Sequence, residues 1–148
     1  MRRFRRVLYA TDFSKASRPA FTAALGLAKG NHASLLVVHA LAFMPPILGS
    51  DYLPPRVIDQ LEASAWAGAR AELKKLVGSA RRAGVRASGV IVMGSPYEQI
   101  TRAARSRRAD VIVIGTHGRT GLTKALLGSV AMRVLATARC PVLTVRAR

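Results

Sequence analysis

Short apolar runs alternate with segments of helical periodicity along the whole chain, and no other feature restricts the fold so strongly. SLLVVHAL (34–41) and ADVIVIG (109–115) are almost continuously apolar, as strands buried on both faces must be. RRVLYATD predicts a first strand over residues 5–10, VRASGVIVM a third, and PVLTV a last one. Between them, Ala16, Ala20, Phe21, Ala24, Leu27 and Ala28 share one helical face. A cap at Ser17 keeps Pro19 in the first turn of that helix, and Gly30 with Asn31 supply its stop.

The stretch 42–55 carries four prolines and a glycine and reads as a loop or lid. From Val57 to Ala83 an apolar stripe runs through Val57, Ile58, Leu61, Ala65, Ala69, Leu73, Leu76, Val77 and Ala80, and Gly84 ends it. SPYEQI sets Ser95, Pro96 and Glu98 as a capping box opening a helix to about Ser106. SVAMRVLATA is the fourth helix. The order is βαβαβαβαβ with no internal repeat and no linker, which argues for one domain over 1–148 built on a parallel sheet with helices on both faces. Ligands of such sheets bind beyond the carboxyl ends of the strands, where the winding reverses. Those ends are 10–14, 41–55, 93–95 and 115–128.

The last of these loops, GTHGRTGLTKALLGS, is unusually rich in glycine and joins a buried strand to a helix. It is neither a P-loop, since no glycine precedes Lys124, nor a G-x-G-x-x-G turn, since Gly115, Gly118 and Gly121 are spaced by three. It reads G-x-x-G, nine residues, then Gly128 and Ser129. Gly128 and Ser129 adjoin a helix start, where the amides of residues 129–131 lack intrahelical acceptors and face the positive end of the macrodipole. A phosphate fits such a place. An ordinary strand-to-helix loop with Ser129 as a plain cap fits the same residues, and the two readings stand side by side.

The spacing G-x-x-G-x9-G-[ST], after an apolar strand and before the last helix, resembles the nucleotide-binding signature of the universal stress protein family. VLYATDFS, LLVVHAL and RCPVLTV resemble that family's first, second and closing strands, so the likeness spans essentially the whole chain. The resemblance implies a five-stranded parallel sheet in order 3-2-1-4-5, Rossmann-like and of the adenine nucleotide alpha hydrolase type. It also implies ATP, with magnesium or manganese, held between strands 1 and 4. Carried over, adenosine would meet Ala10, Thr11, Asp12 and Ala40. Ribose and phosphates would meet Ile114, Gly115, His117, Gly118, Gly128, Ser129, Val130 and Ala131. Ala10 and Ala131 depart from the proline and the hydroxyl residue common there, so one side-chain hydroxyl to phosphate is missing. A homodimer through strand 142–145 is implied too; an unpaired apolar edge invites a second copy.

Asp12 is the one candidate metal contact, acting with the phosphates, because magnesium keeps several waters. The three histidines show no zinc-ligand spacing: His32 reads as a turn residue and His39 as a core one. Arg119 and Lys124 lie within the loop. No Ser-His-Asp order or nucleophile elbow supports acyl chemistry, and no general base or arginine finger is evident, so ATP turnover should be slow or absent. The expected role is nucleotide-dependent regulation in a stress response. The alternative is a basic binding module for nucleic acid or acidic partner proteins, independent of nucleotide, drawn from the net charge of +17. The arginines are dispersed, however, and aromatic residues for base stacking are scarce. No apolar run reaches the roughly 20 residues that span a bilayer. Lone Cys140 fits a reducing cytoplasm and reads as inert.

Overall fold

The computed structural model describes residues 3–42, 47–48, 51–117 and 127–147. Five strands form one parallel sheet: β1 (Arg6–Ala10), β2 (Ser34–Leu41), β3 (Ala87–Met93), β4 (Val111–Gly115) and β5 (Val142–Val145). Their spatial order is β3-β2-β1-β4-β5, so the winding reverses at β1, between β2 and β4. Val7 pairs with Leu35 on one side and Val111 on the other, and Ala10 with Val38 and Ile114. The sequence reading of strand order and fold class is thereby met.

Helices α1 (Arg18–Asn31) and α2 (Pro55–Arg82) cover one face, α3 (Pro96–Ser106) and α4 (Ser129–Thr137) the other. Alternate β1 residues serve the two layers: Val7 and Tyr9 pack towards α1 and α2, Leu8 and Ala10 towards α3 and α4. Burying each large side chain of this set contributes about 1.5–3 kcal/mol. Alanines dominate the buried positions of α1 (Ala20, Ala24 and Ala28), which lets that helix lie close on the sheet.

Four details differ from the sequence reading. First, α1 runs through Gly30 and stops at His32, whose φ of 52° supplies the left-handed residue. Second, the Ser95–Glu98 capping box does not form. Ser95 caps by position without a side-chain bond, and the Glu98 carboxylate accepts the Tyr97 hydroxyl at 3.0 Å. Third, within the proline-rich segment Ile47–Leu48 pairs antiparallel with Asp51–Tyr52; the remainder of 43–50 lies outside the described residues. Fourth, the stripe of α2 is buried only in its second half. Ala69 and Ala80 are buried and Leu73, Leu76 and Val77 pack on the core, whereas Leu61 is 47% exposed. No described helix is long and apolar enough to cross a membrane.

Candidate functional site

The reversal point is built from three pieces of chain. The first is the turn after β1. The Thr11 amide donates to the Val38 carbonyl at 3.0 Å, which prolongs the β1–β2 ladder by one bond, and the chain then turns sharply. Asp12 Oδ1 accepts the Ser14 amide and Thr11 Oγ1 the Phe13 amide, both at 3.0 Å, so two short side chains hold the turn. Phe13 has φ 62°, an uncommon conformation for a bulky residue. Its ring stacks on His39, centroids 4.2 Å apart, and His39 Nδ1 lies 2.8 Å from the Thr11 carbonyl. Buried His39, read as a core residue, is thus the support beneath the turn.

Behind the turn, Ser17 is a hub. Its Oγ donates to the Ser14 carbonyl at 2.7 Å and lies 3.2 Å from Thr11 Oγ1, and its carbonyl accepts the buried Tyr9 hydroxyl at 2.9 Å. Burial pushes the Tyr9 phenol above its ordinary range, with hydrogen bonds from Ser17 and Thr11 acting against the shift. Among the described residues, Ser14 Oγ is the one buried side-chain polar atom without a hydrogen-bond partner. An unsatisfied hydroxyl and a left-handed phenylalanine in one turn are costs that packing stability alone does not explain.

The second piece is the end of β4. Gly115 is followed by Thr116, whose amide donates to the Val145 carbonyl at 2.9 Å and whose Oγ1 lies 3.0 Å from His117 Nδ1. A Cβ on Gly115 would make only ordinary contacts, the nearest being the His117 carbonyl at 3.5 Å. Packing within the chain therefore does not require glycine at that position.

The third piece is the start of α4, and there glycine is required for a different reason. Gly128 is the N-cap residue with φ −60°, so positive φ is not the cause. Its amide donates to the Thr116 carbonyl at 2.6 Å, and a Cβ would stand 2.7 Å from that same oxygen. Gly128 is what lets α4 begin directly against the end of β4. Ser129 is the first helical residue, not the cap, and its residue is exposed. Met132 donates to the Gly128 carbonyl at 2.9 Å, so the amides of Ser129, Val130 and Ala131 precede the first intrahelical bond.

Of the residues picked from sequence, Ala10, Thr11, Asp12, Ile114, Gly115, His117, Gly128, Ser129, Val130 and Ala131 all lie on these three pieces. Ala10, Ile114 and Ala131 are buried in the α3–α4 layer, leaving their backbone as what they can offer a ligand. Ala40 lies on β2 beyond the last β1 partner, opposite Val92. Gly118, Arg119 and Lys124 lie outside the described residues. Thr116, Ser17 and Phe13 escaped the sequence reading. Thr116 was signalled only by standing between Gly115 and His117, and nothing in the sequence marked Ser17 as more than a cap.

Strand order defines an open, doubly wound α/β protein, a class whose ligands bind at the reversal point of the sheet. The profile of the universal stress protein family matches residues 3–146, and the chain belongs to that family. A universal stress protein of Thermus aquaticus is 36% identical over 143 residues, covering 97% of this chain and 99% of its own. One from Bacillus subtilis is 32% identical over 147 residues, covering 97% and 99%. Among solved structures, the UspA protein of Lactobacillus plantarum superposes with a TM-score of 0.84 at 24% identity, covering 99% of this chain and 100% of its own. The Archaeoglobus fulgidus universal stress protein in complex with dAMP gives 0.66 at 23%, covering 98% and 100%. An Arabidopsis thaliana family member with AMP bound gives 0.71 at 22%, covering 97% and 92%.

Proposed function

We propose that the crevice binds ATP and that the protein acts in a stress response through nucleotide-dependent conformation or partner choice. The observation that carries this reading is the start of α4: amides before the first intrahelical bond, held against the β4 end by a glycine whose Cβ has no room. Phosphates would meet the amides of Ser129, Val130 and Ala131 and the backbone of Gly115, with Gly118 and His117 beside them. Adenosine would lie over Ala10, Thr11, Asp12 and Ala40. AMP and dAMP complexes of structural neighbours support the adenine part of the reading.

The residues fit the ligand better than they fit a metal held by protein alone. Among the described residues no three His, Cys, Asp or Glu side chains gather as a metal site. Magnesium or manganese would therefore come with the phosphates, and Asp12 would add at most one ligand. Hydrolysis would be slow, because the phosphates rest on peptide amides, which move no protons. Phosphate release near or above about one per second, a common enzyme rate, would contradict this.

Calorimetric titration of ATP into the purified protein and into Gly128→Val tests the reading. The valine pushes α4 off the β4 end, so ATP should weaken by about a hundredfold or more, the loss of two charge-assisted contacts. Equal affinity in the two proteins removes the proposed cradle.

A further inference from the structure

Away from the proposed nucleotide site, the described surface holds a cleft of about 430 Å³ that runs along α3 from Glu98 in its first turn to the C-terminal ends of α3 and α4. Its walls include Arg102, Arg105, Arg108 and Arg139, with Glu98 and Cys140. Three of the arginines come from α3 and the turn after it, and the fourth from the turn between α4 and β5. The topology brings them together because both helices end there, each running antiparallel to the strand that follows.

The bland explanation is that arginines complement helix C-termini. Each terminus carries about half a negative charge, so two of them offset roughly one guanidinium. Glu98 offsets another, and Asp110, felt at Cys140, at most a third. Asp110 is moreover already engaged, its Oδ2 accepting the Arg5 and Arg6 amides at 2.8 and 2.9 Å. Even so counted, the cleft keeps about one surplus positive charge in a concave wall. Among the described residues none of the four guanidiniums makes a hydrogen bond or ion pair. Arg133 nearby shows the contrast, since its guanidinium lies over the Tyr97 ring at 5.0 Å. Arg108 is also held at φ 52°, where glycine is the cheaper residue.

We infer that this cleft is a second anion site, distinct from the nucleotide crevice, and that it takes a small anion bearing two or more phosphates. The volume suits a small molecule rather than a duplex. Guanidinium forks match phosphate oxygens in pairs, and four of them facing one space can engage adjacent phosphates together. The site does not depend on the ATP reading, since no residue is shared.

Cys140, the sole cysteine, lines the cleft and reports on it. The rate of its alkylation by uncharged iodoacetamide is measured on the full chain against inorganic tripolyphosphate. Tripolyphosphate should slow alkylation saturably in the wild type and equally in Gly115→Val, which would crowd the proposed nucleotide crevice from the end of β4, a strand that gives the cleft no residue. Arg105→Gln with Arg139→Gln should weaken that protection about tenfold or more, with an unchanged thermal midpoint because both side chains are exposed. No protection in the wild type, or the same protection in the double variant, overturns the site. Loss of protection in Gly115→Val alone assigns the effect to the nucleotide crevice and overturns it as well. Protection by a short DNA duplex but not by tripolyphosphate makes the surface a nucleic-acid contact and overturns the small-anion assignment.

Discussion

Tyr9 and Gly89 show how single residues in this protein are decided by atoms far away in sequence. The Tyr9 phenol is buried and donates to Ser17, so it must stay protonated in the folded state. Its folded pKa lies above the ordinary value near 10. Stability from this group is fully present below about pH 10. Above that the unfolded chain releases the proton first, and stability falls until the folded pKa is passed. Tyr9→Phe should flatten the pH dependence of the denaturation midpoint above pH 10 while costing about 1 kcal/mol at neutral pH, because the Ser17 carbonyl loses its donor. An unchanged alkaline slope in the variant would mean that another group causes it. At Gly89 a Cβ would meet Leu73 carbon atoms at 2.6, 2.7 and 2.9 Å, so α2 packs on β3 through the missing side chain. Gly89→Ala should cost about 1–3 kcal/mol in urea denaturation, the range for overpacking. A stabilised variant would show that Leu73 yields freely.

The elements end more regularly than their residues suggest. α1, α2 and α3 all close with the same pair of bonds: Ala33 to Ala28 and His32 to Lys29, Val85 to Ala80 and Gly84 to Arg81, Ala109 to Ala104 and Arg108 to Arg105. The left-handed residue in the three is His32, Gly84 and Arg108. Only Gly84 is the residue a sequence reader looks for; the end of α3 at Ser106 was also read correctly, though without its left-handed residue, while α1 runs past the expected stop at Gly30. At the exposed His32, His32→Gly keeps the backbone bonds and removes the Cβ cost. The expected gain is roughly 0.5–1 kcal/mol, or a rise in melting temperature of about 2 °C. A lower melting temperature would show that the imidazole contributes more than the strain costs. At the start of α3 the missing capping bond makes the opposite case. Ser95→Ala should cost well under the ~1 kcal/mol of a working cap, and a full loss in a thermal melt would mean that the box forms in solution.

At the scale of the molecule, β5 is a sheet edge with Leu143 41% exposed, and α4 beside it exposes Met132 at 55% and Leu135 at 44%. Edges of this kind associate unless charged or covered. A homodimer through residues 142–145 is expected in sedimentation at micromolar concentration. Leu143→Lys should shift it to monomer without loss of the fold, and a wild-type monomer would dispose of the interface. The basic balance of the chain acts at this scale too, since the fields of dispersed arginines add at a distance and fade with salt.

The sequence by itself determined the layering: which runs are strands, which stripes face the sheet, and that the glycine loop stands at a strand's carboxyl end. Those features depend on local periodicity, and burial enforces periodicity residue by residue. Asp12, Gly115, Gly128 and Ser129 were legible for the same reason, as they stand at ends that periodicity marks. Only the tertiary structure decided what the ends touch. Gly128 is glycine because the Thr116 carbonyl is 2.7 Å from where its Cβ would be, and His39 matters because it props Phe13 and the Thr11 carbonyl. Arg139 joins Arg102, Arg105 and Arg108 at one cleft because two helices end there. Contacts between residues far apart in sequence leave no period to read, so the fold alone reveals them.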